Sequence, residues 1–224
     1  MRALKQTWAP LVAGEKLSRE EFLRRWELRP DIKNAELIAG VVYVSSPVSL
    51  YHGSRHAYVV HWLIDYEDRT PGCAVGDNAT WLMLADAPQP DAHLRILPEY
   101  AGQSRVQDLY GEGAPELVVE VCLSSSSHDL GPKLELYRSA GVQEYITILL
   151  KESQVIWRRL AEGGYVGVAP DADGILRSAV FPGLWLDPQA LLNKDRTRLM
   201  EVLNRGLESS EHAGFVRQLA ARRG

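Results

Sequence analysis

The chain has 224 residues, of which 46% are hydrophobic and 24% charged, proportions of a globular domain rather than of a disordered, collagen-like or coiled-coil chain. A fold of this size buries roughly 70% of its unfolded surface, so Cys73 and Cys122 are expected to be buried thiols rather than a structural bridge or zinc site. The net charge of −4 excludes a whole-protein attraction to nucleic acid, so any such contact must come from a local patch.

Targeting and nucleotide-binding signals are missing from the sequence. The apolar stretch after Arg2 and Lys5 is interrupted by Pro10 and Gly14, which argues against a secretory signal, and no run of about 18 apolar residues predicts a membrane helix. A glycine-rich phosphate loop and a Gly-x-Ser-x-Gly elbow are also lacking, which excludes nucleotide-driven and esterase chemistry. We expect a cytoplasmic protein with no membrane partner and no nucleotide cofactor.

The first half of the chain predicts a helix, a hairpin and a second helix. Residues 1–16 show no period and are expected to form a lead-in segment. Ser18 and Glu21 have capping-box spacing, which predicts a helix from Ser18 to about residue 26. The β-branched residues 36–44 predict a hairpin that turns at Ala39-Gly40, and residues 52–66 have a helical rhythm. Strands are then expected near residues 73–75, 80–84 and 92–97.

The second half begins with the clearest strand, residues 117–123. This strand is almost continuously apolar, as in the centre of a sheet covered on both faces, yet it contains Glu120. A helix should follow over residues 129–140, and Gly141 should end it. The spacings of 144–150, 154–160 and 165–168 predict antiparallel hairpins. We expect one main domain over residues 17–192 and a helical tail over 193–224, which could fray or pair with another subunit.

Two clusters of polar residues invite catalytic interpretations that the pattern does not favour. His52 and His56 lie four residues apart on a predicted helix, but without an intervening glutamate they do not form the zinc-protease motif; ordinary surface or interface histidines are the preferred interpretation. The serines at 124–127 lie between a strand and a helix, where turn and capping roles are more usual than nucleophilic catalysis.

The acidic residues carry the stronger signal. A buried carboxylate needs a cation, and Glu120 lies inside an apolar strand. If the strand that follows Asp91 is its neighbour, the two carboxylates converge, and oxygen ligands of this kind suit Mg²⁺ or Mn²⁺. Lys133 on the next helix could reach back to them. From these residues alone, a structural Glu120–Lys133 ion pair and a catalytic centre are equally good interpretations.

An ordered series of motifs resembles one nuclease family. The motifs are Glu36-Leu-Ile-Ala-Gly40, Ser49-Leu-Tyr-His52, Gln89-Pro-Asp91, Pro115-Glu-Leu-Val-Val-Glu120, Asp129-Leu-Gly-Pro-Lys133 with Tyr137, Gly141-Val-Gln-Glu144 and Phe181-Pro-Gly183. Together they resemble the Uma-type restriction endonucleases, a branch of the PD-(D/E)XK nuclease superfamily, over roughly residues 17–192. The parent superfamily has a lysine two residues after the acid, where this chain has Cys122.

The resemblance implies an α/β, restriction-endonuclease-like core: a mixed β-sheet flanked by helices, with antiparallel hairpins and a C-terminal helical tail. It implies a metal site formed by Asp91, Glu120 and the Val121 carbonyl, with Lys133 as the catalytic lysine. Glu36 would be a further acid, either a second metal ligand or part of the hydrogen-bond network. Substrate contacts are expected from His52, Arg55, Ser125 and Tyr137, with weaker candidates at Arg24, Arg25 and Lys33.

The function expected from this site is metal-dependent endonucleolytic hydrolysis of DNA phosphodiesters, with Mg²⁺ or Mn²⁺ as cofactor, DNA as partner and a homodimer as the assembly that cuts two strands. The alternative is a nuclease-fold binding or regulatory module with little catalysis, associated with a mobile element or a defence system. A glycoside hydrolase that uses Asp91 and Glu120 as its acid and base is less favoured, because such a site has no role for Lys133.

Overall fold

The computed structural model describes residues 10–44, 48–123 and 130–223. Its α-helices are α1 (Arg19–Glu27), α2 (Leu50–Glu67), α3 (Leu130–Ala140), α4 (Pro188–Asn193), α5 (Arg196–Leu207) and α6 (Ser210–Arg222). Its strands are β1 (Ala35–Ile38), β2 (Val41–Val44), β3 (Cys73–Asp77), β4 (Trp81–Leu82), β5 (Ala92–Ile96), β6 (Arg105–Gln107), β7 (Tyr110–Glu112), β8 (Leu117–Cys122), β9 (Glu144–Leu149), β10 (Gln154–Ala161), β11 (Gly164–Gly167), β12 (Leu176–Arg177) and β13 (Trp185–Leu186).

A six-stranded mixed sheet in the order β11-β10-β9-β8-β5-β3 forms the centre of the fold. The pairing of β8 with β9 is parallel, and the other pairings in this sheet are antiparallel. The connection from β8 to β9 runs through α3, as a parallel pair requires. Strand β8 therefore has neighbours on both sides, which agrees with its apolar sequence.

The two faces of the sheet are covered by different helices. One face packs against α2 and the C-terminal helices, and its core includes Val59, Trp62, Val119, Val121, Leu203 and Phe215. The other face packs against α3 and the β1–β2 hairpin, and its core includes Ile38, Val118, Leu136, Tyr137 and Tyr145. Alternation along β8 sends Val119 and Val121 to the first face and Val118 to the second. The predicted α/β fold, a mixed sheet flanked by helices, is confirmed.

The β1–β2 hairpin is attached to the chain that leads into β5. It turns at Ala39-Gly40, both with positive φ, as predicted. The carboxylate of Asp86 accepts hydrogen bonds from the backbone N–H groups of Ala39 and Gly40 at 2.8 and 2.9 Å. Leu37 and Ala87 exchange backbone hydrogen bonds. These contacts hold the hairpin, and with it Glu36, on the face of the central sheet that α3 also covers.

The ends of the chain are more firmly packed than their sequences indicate. Leu11 is buried, and Gly14 N–H donates to the Val42 carbonyl at 2.8 Å, so the lead-in lies along the hairpin from Pro10 onward; residues 1–9 lie outside the described residues. Helices α5 and α6 bury Leu199 and Leu219 in the core beside α2. The expectation of a fraying tail is therefore wrong, although the domain boundaries themselves stay a prediction.

The short strands β6, β7, β12 and β13 were not predicted, because two or three residues are too few to show a period. In the described part of the chain, no helix combines the length and apolar character needed to cross a bilayer.

His93 on β5 gives a prediction about acid stability. Its side chain is buried, and burial, aided by the nearby charge of Arg95, lowers its pKa from 6.5 to about 3. The folded protein thus binds its proton more weakly than the unfolded chain. Stability contributed by neutral His93 is present above pH 6.5 and is lost as the pH falls toward 3. We expect a loss of about 2 kcal/mol between pH 7 and 5 from this residue.

Urea unfolding at pH 7 and pH 5 measures this loss. The variant His93→Gln should unfold more easily than the wild type at pH 7, because it loses packing against Trp81, but it should lose less stability on acidification. An equal loss in both proteins would refute the assignment.

Candidate active site

Strand register brings the two central carboxylates together. Ala92 pairs with Val119 in the antiparallel β5–β8 ladder, so the next position outward places Asp91 opposite Glu120. Opposed residues of an antiparallel pair project to the same side. The predicted convergence of Asp91 and Glu120 on neighbouring strands is therefore present in the structure.

Lys133 lies between two acidic residues. Its Nζ is 3.0 Å from Oε1 of Glu120 and 2.9 Å from Oε1 of Glu36. All three side chains are buried, with Lys133 only 4% exposed. Helix α3 thus returns its lysine to the strand that precedes it. The sequence left two interpretations open, a structural ion pair and a catalytic centre. Both would use the same charged atoms of Lys133 and Glu120.

Tyr137 completes the environment of Glu120. It follows Lys133 by four residues on α3, so both side chains lie on the same helical face, and its hydroxyl donates to Oε1 of Glu120 at 2.7 Å. Oε1 of Glu120 therefore accepts from an ammonium and a phenol. Tyr137 is fully buried, and this contact positions Glu120; its expected contact with substrate stays a prediction.

Burial and neighbouring charges both act on the pKa values of Glu120 and Lys133, and both values are raised. Burial, with the nearby Asp91 and Glu36 charges, raises the pKa of Glu120 to about 8, although Lys133 and Tyr137 favour its ionised form. Burial would lower the pKa of Lys133, but the Glu120 and Glu36 carboxylates outweigh it and raise that pKa well above the ordinary value. The site therefore keeps its lysine protonated and, without a further cation, disfavours the ionised form of Glu120.

Asp91 is held by groups from two elements, β8 and α2. Its Oδ2 accepts the backbone N–H of Val121 at 2.7 Å and lies 3.2 Å from Nε2 of His52 on α2. Its backbone carbonyl lies 2.7 Å from Nε2 of His56. Burial alone would raise the pKa of Asp91, but the His52 hydrogen bond and charge, the Val121 N–H and Lys133 together lower it. Asp91 is thus an ionised carboxylate with a fixed orientation.

His52 and His56 of α2 both contact Asp91. The hydrogen bond to Asp91 raises the pKa of His52 against the effect of burial, and the Val121 carbonyl adds to this shift. His56 also lies 3.0 Å from Asp77. His52 positions Asp91, because its Nε2 contacts that carboxylate and its Nδ1 is buried; its expected contact with substrate stays a prediction.

Glu36 belongs to the hydrogen-bond network. Besides Lys133, its Oε1 accepts the backbone N–H of Gln89 at 2.6 Å. Gln89 stands two residues before Asp91. The Glu36 carboxylate therefore links the β1–β2 hairpin, Lys133 and the segment that carries Asp91. Of the two roles expected for Glu36, this geometry supports the network role.

The donor set fits a hard divalent cation. Within the described residues, neither Oδ1 of Asp91 nor Oε2 of Glu120 accepts a hydrogen bond, which leaves one oxygen of each carboxylate uncommitted. No three His, Cys, Asp or Glu side chains in the described ranges form a metal-holding group. Two carboxylates with a backbone carbonyl suit Mg²⁺, which retains water and takes further oxygens from phosphate, better than Zn²⁺.

Comparison with protein families gives a match to the family model "Uma2: Putative restriction endonuclease" over residues 19–189 of the 224. The chain belongs to the Uma2 family. The predicted resemblance is confirmed, and the match spans every site residue named above.

A solved structure shares the fold of this Uma2 chain. It is described as a putative nuclease belonging to DUF820 from Anabaena variabilis ATCC 29413, and it aligns with a TM-score of 0.61 over 79% of this chain and 98% of that chain, at 17% sequence identity. At this identity the likeness shows the fold alone. No curated protein matches the chain. The description of the family points to a nuclease.

The remaining residues expected to bind substrate are not gathered at this Uma2 site. Arg55 directs its guanidinium to the Leu192 carbonyl at 2.7 and 3.1 Å. Arg25 is 13% exposed and pairs with Glu15 and Glu21; its expected contact with phosphate stays a prediction. Ser125 lies outside the described residues, as does the whole run of serines at 124–127.

Two contacts were missed because they involve the backbone. The Gln89 N–H donates to Glu36, and the Val121 N–H donates to Asp91. Every residue except proline has a backbone N–H, so the residue type does not indicate such a contact. His56 could have been found: it repeats the position of His52 one helical turn later, and this spacing places both rings on the side of α2 that faces Asp91.

Proposed function

We propose that this protein is a metal-dependent endonuclease that hydrolyses DNA phosphodiester bonds. The observation that carries the proposal is the opposition of Asp91, just before β5, and Glu120 on β8, with Lys133 held against Glu120. One oxygen of each carboxylate accepts no hydrogen bond from a described residue. A purely structural ion pair needs one acid, whereas this site brings both Glu36 and Glu120 to one lysine and Asp91 close enough to raise the pKa of Glu120. A divalent cation between Asp91 and Glu120 would relieve this repulsion and hold both carboxylates ionised.

Asp91, Glu120 and the Val121 carbonyl would hold Mg²⁺ or Mn²⁺. When bound, such a cation lowers the pKa of a coordinated water and neutralises charge on the scissile phosphate. The protein fixes the donors beforehand: His52 and the Val121 N–H orient Asp91, and Tyr137 and Lys133 orient Glu120.

Lys133 supplies positive charge where the phosphate becomes more negative. Two of its three N–H donors are directed to Glu36 and Glu120. The third has no partner among the described residues and would serve the attacking water or a non-bridging phosphate oxygen. A buried ammonium in fixed position stabilises developing charge without reorganisation. Its raised pKa keeps it charged over the physiological range.

Plasmid cleavage tests the proposal. We expect supercoiled plasmid to be nicked or linearised in Mg²⁺ or Mn²⁺ and left intact in EDTA. Linear product at the earliest times would support the homodimer that we include in the proposal, because two sites then cut both strands in one encounter.

A control variant on the same helix sharpens the assay. Glu135→Gln removes an exposed carboxylate that pairs with Arg138 and should cleave as the wild type does. DNA binding without cleavage under any divalent metal would instead favour the binding or regulatory module considered from the sequence.

A further inference from the structure

A pocket of about 290 Å³ opens beside the candidate active site. It lies where β8 and β9 end, since the backbone N–H groups of Leu150 and Lys151 donate to the carbonyls of Cys122 and Leu123. Its lining residues include Tyr51, Arg55, Leu123, Leu150, Lys151 and Leu192. We call it the Tyr51 pocket.

The Tyr51 pocket and the candidate active site share two elements. Strand β8 carries Glu120 at the site and ends at the pocket. On α2, His52 reaches Asp91, while its neighbour Tyr51, together with Arg55 one turn later, lines the pocket. The pocket therefore adjoins the carboxylates on the α2 side, and Lys133 approaches them from the α3 side. A polynucleotide chain that crosses the carboxylates has the pocket next to it.

The pocket combines apolar walls with positive charge. Tyr51 is 72% exposed and Leu123 51% exposed, and both line one concave pocket, the kind of surface in which ligands bind. Neither Arg55 nor Lys151 forms an ion pair with another described residue. An exposed aromatic ring beside two cations that have no ion-pair partner in the described part of the chain suits a ligand with a flat ring and an attached anion.

A nucleotide of the substrate has this chemistry. We propose that the Tyr51 pocket binds one unstacked nucleobase next to the scissile phosphodiester, with Tyr51 as the stacking platform and Lys151 near the adjoining phosphate. A base inside an intact duplex is covered on both faces and cannot enter such a pocket. The inference rests on the proposed nuclease function and deepens it: the substrate is single-stranded or locally opened DNA.

Binding without metal tests the pocket independently of catalysis. We expect Tyr51→Ala to weaken the binding of a fluorescein-labelled oligothymidylate of about 12 nucleotides by about tenfold or more, measured by fluorescence anisotropy in EDTA. Binding of a duplex of matched length should change by less than about twofold. Tyr51→Phe should retain single-strand affinity, because it keeps the ring, and Lys151→Gln should weaken both ligands.

The matched control is Leu50→Ala, which removes an 87% exposed apolar side chain from the adjacent position that is not among the pocket-lining residues. Equal single-strand affinity of Tyr51→Ala and the wild type would overturn the proposal and assign the pocket to another kind of ligand, such as a protein. Tyr51-dependent binding without cleavage by the wild type would refute the nuclease function alone. Cleavage with Tyr51-independent binding would refute the pocket alone.

Discussion

Replacing Lys133 by methionine should reduce DNA cleavage by about 10²–10³-fold, the usual cost of losing a fixed group that stabilises transition-state charge. The same change should destabilise the protein, because it leaves Glu36 and Glu120 buried without their common cation. Breaking a buried pair costs about 3–5 kcal/mol, and proton uptake by Glu120, whose pKa burial raises to about 8, should reduce that cost. Urea unfolding and plasmid cleavage measure the two effects.

A second variant separates catalysis from stability. Glu36→Gln combined with Lys133→Met removes one of the two stranded charges and should recover part of the lost stability while cleavage stays low. Arg138→Met, on the exposed side of α3, is the control and should leave both quantities unchanged. Recovery of cleavage in the double variant would mean that Lys133 serves only to neutralise Glu36.

Asp91→Asn should abolish the response of the protein to divalent metal. At an Mg²⁺ concentration about 100-fold above Kd, binding adds about 2.7 kcal/mol to the stability of the wild type, which corresponds to roughly 5–10 °C in Tm for a chain of this length. The variant should show no such rise, and its cleavage should fall about 10³-fold, because metal contributes several kcal/mol to this class of reaction.

The metal-free comparison is also informative for Asp91. Its carboxylate is stabilised by His52 and the Val121 N–H but repelled by Glu120, so Asp91→Asn should change metal-free stability by less than about 1 kcal/mol. Asp108→Asn, on an exposed turn with positive φ, is the matched control and should keep the metal-induced rise. A wild-type Tm that ignores millimolar Mg²⁺ and Mn²⁺ would contradict the metal site.

Elements of the fold could be predicted from the sequence where a local rule determines the structure. Ser18 caps α1 by accepting the Glu21 N–H, and Ala39-Gly40 adopts the positive φ values that a tight hairpin requires. The convergence of Asp91, Glu120 and Lys133 was also predictable, because a charged residue in an apolar strand demands a partner.

Features that depend on contacts between distant parts of the chain could not be predicted from the sequence. The burial of α6 depends on the surface that Tyr66 and Phe181 present to Phe215 and His212, which no local pattern encodes. The role of Tyr137 likewise depends on which atom its hydroxyl meets. A tyrosine near an active site looks the same in sequence whether it faces substrate or a buried carboxylate.

The shared contact of Lys133 with Glu36 and Glu120 makes the site dependent on the completeness of the chain. Glu36 belongs to the first hairpin, Glu120 to the middle strand of the sheet, and Lys133 to the helix after it. During synthesis, the hairpin emerges almost a hundred residues before its lysine partner, and a product clipped after the hairpin loses Glu36 altogether. Only a chain that retains its N-terminal hairpin and has docked α3 can assemble the full charge arrangement, so a copy that has lost the hairpin keeps Lys133 and Glu120 but not their third member.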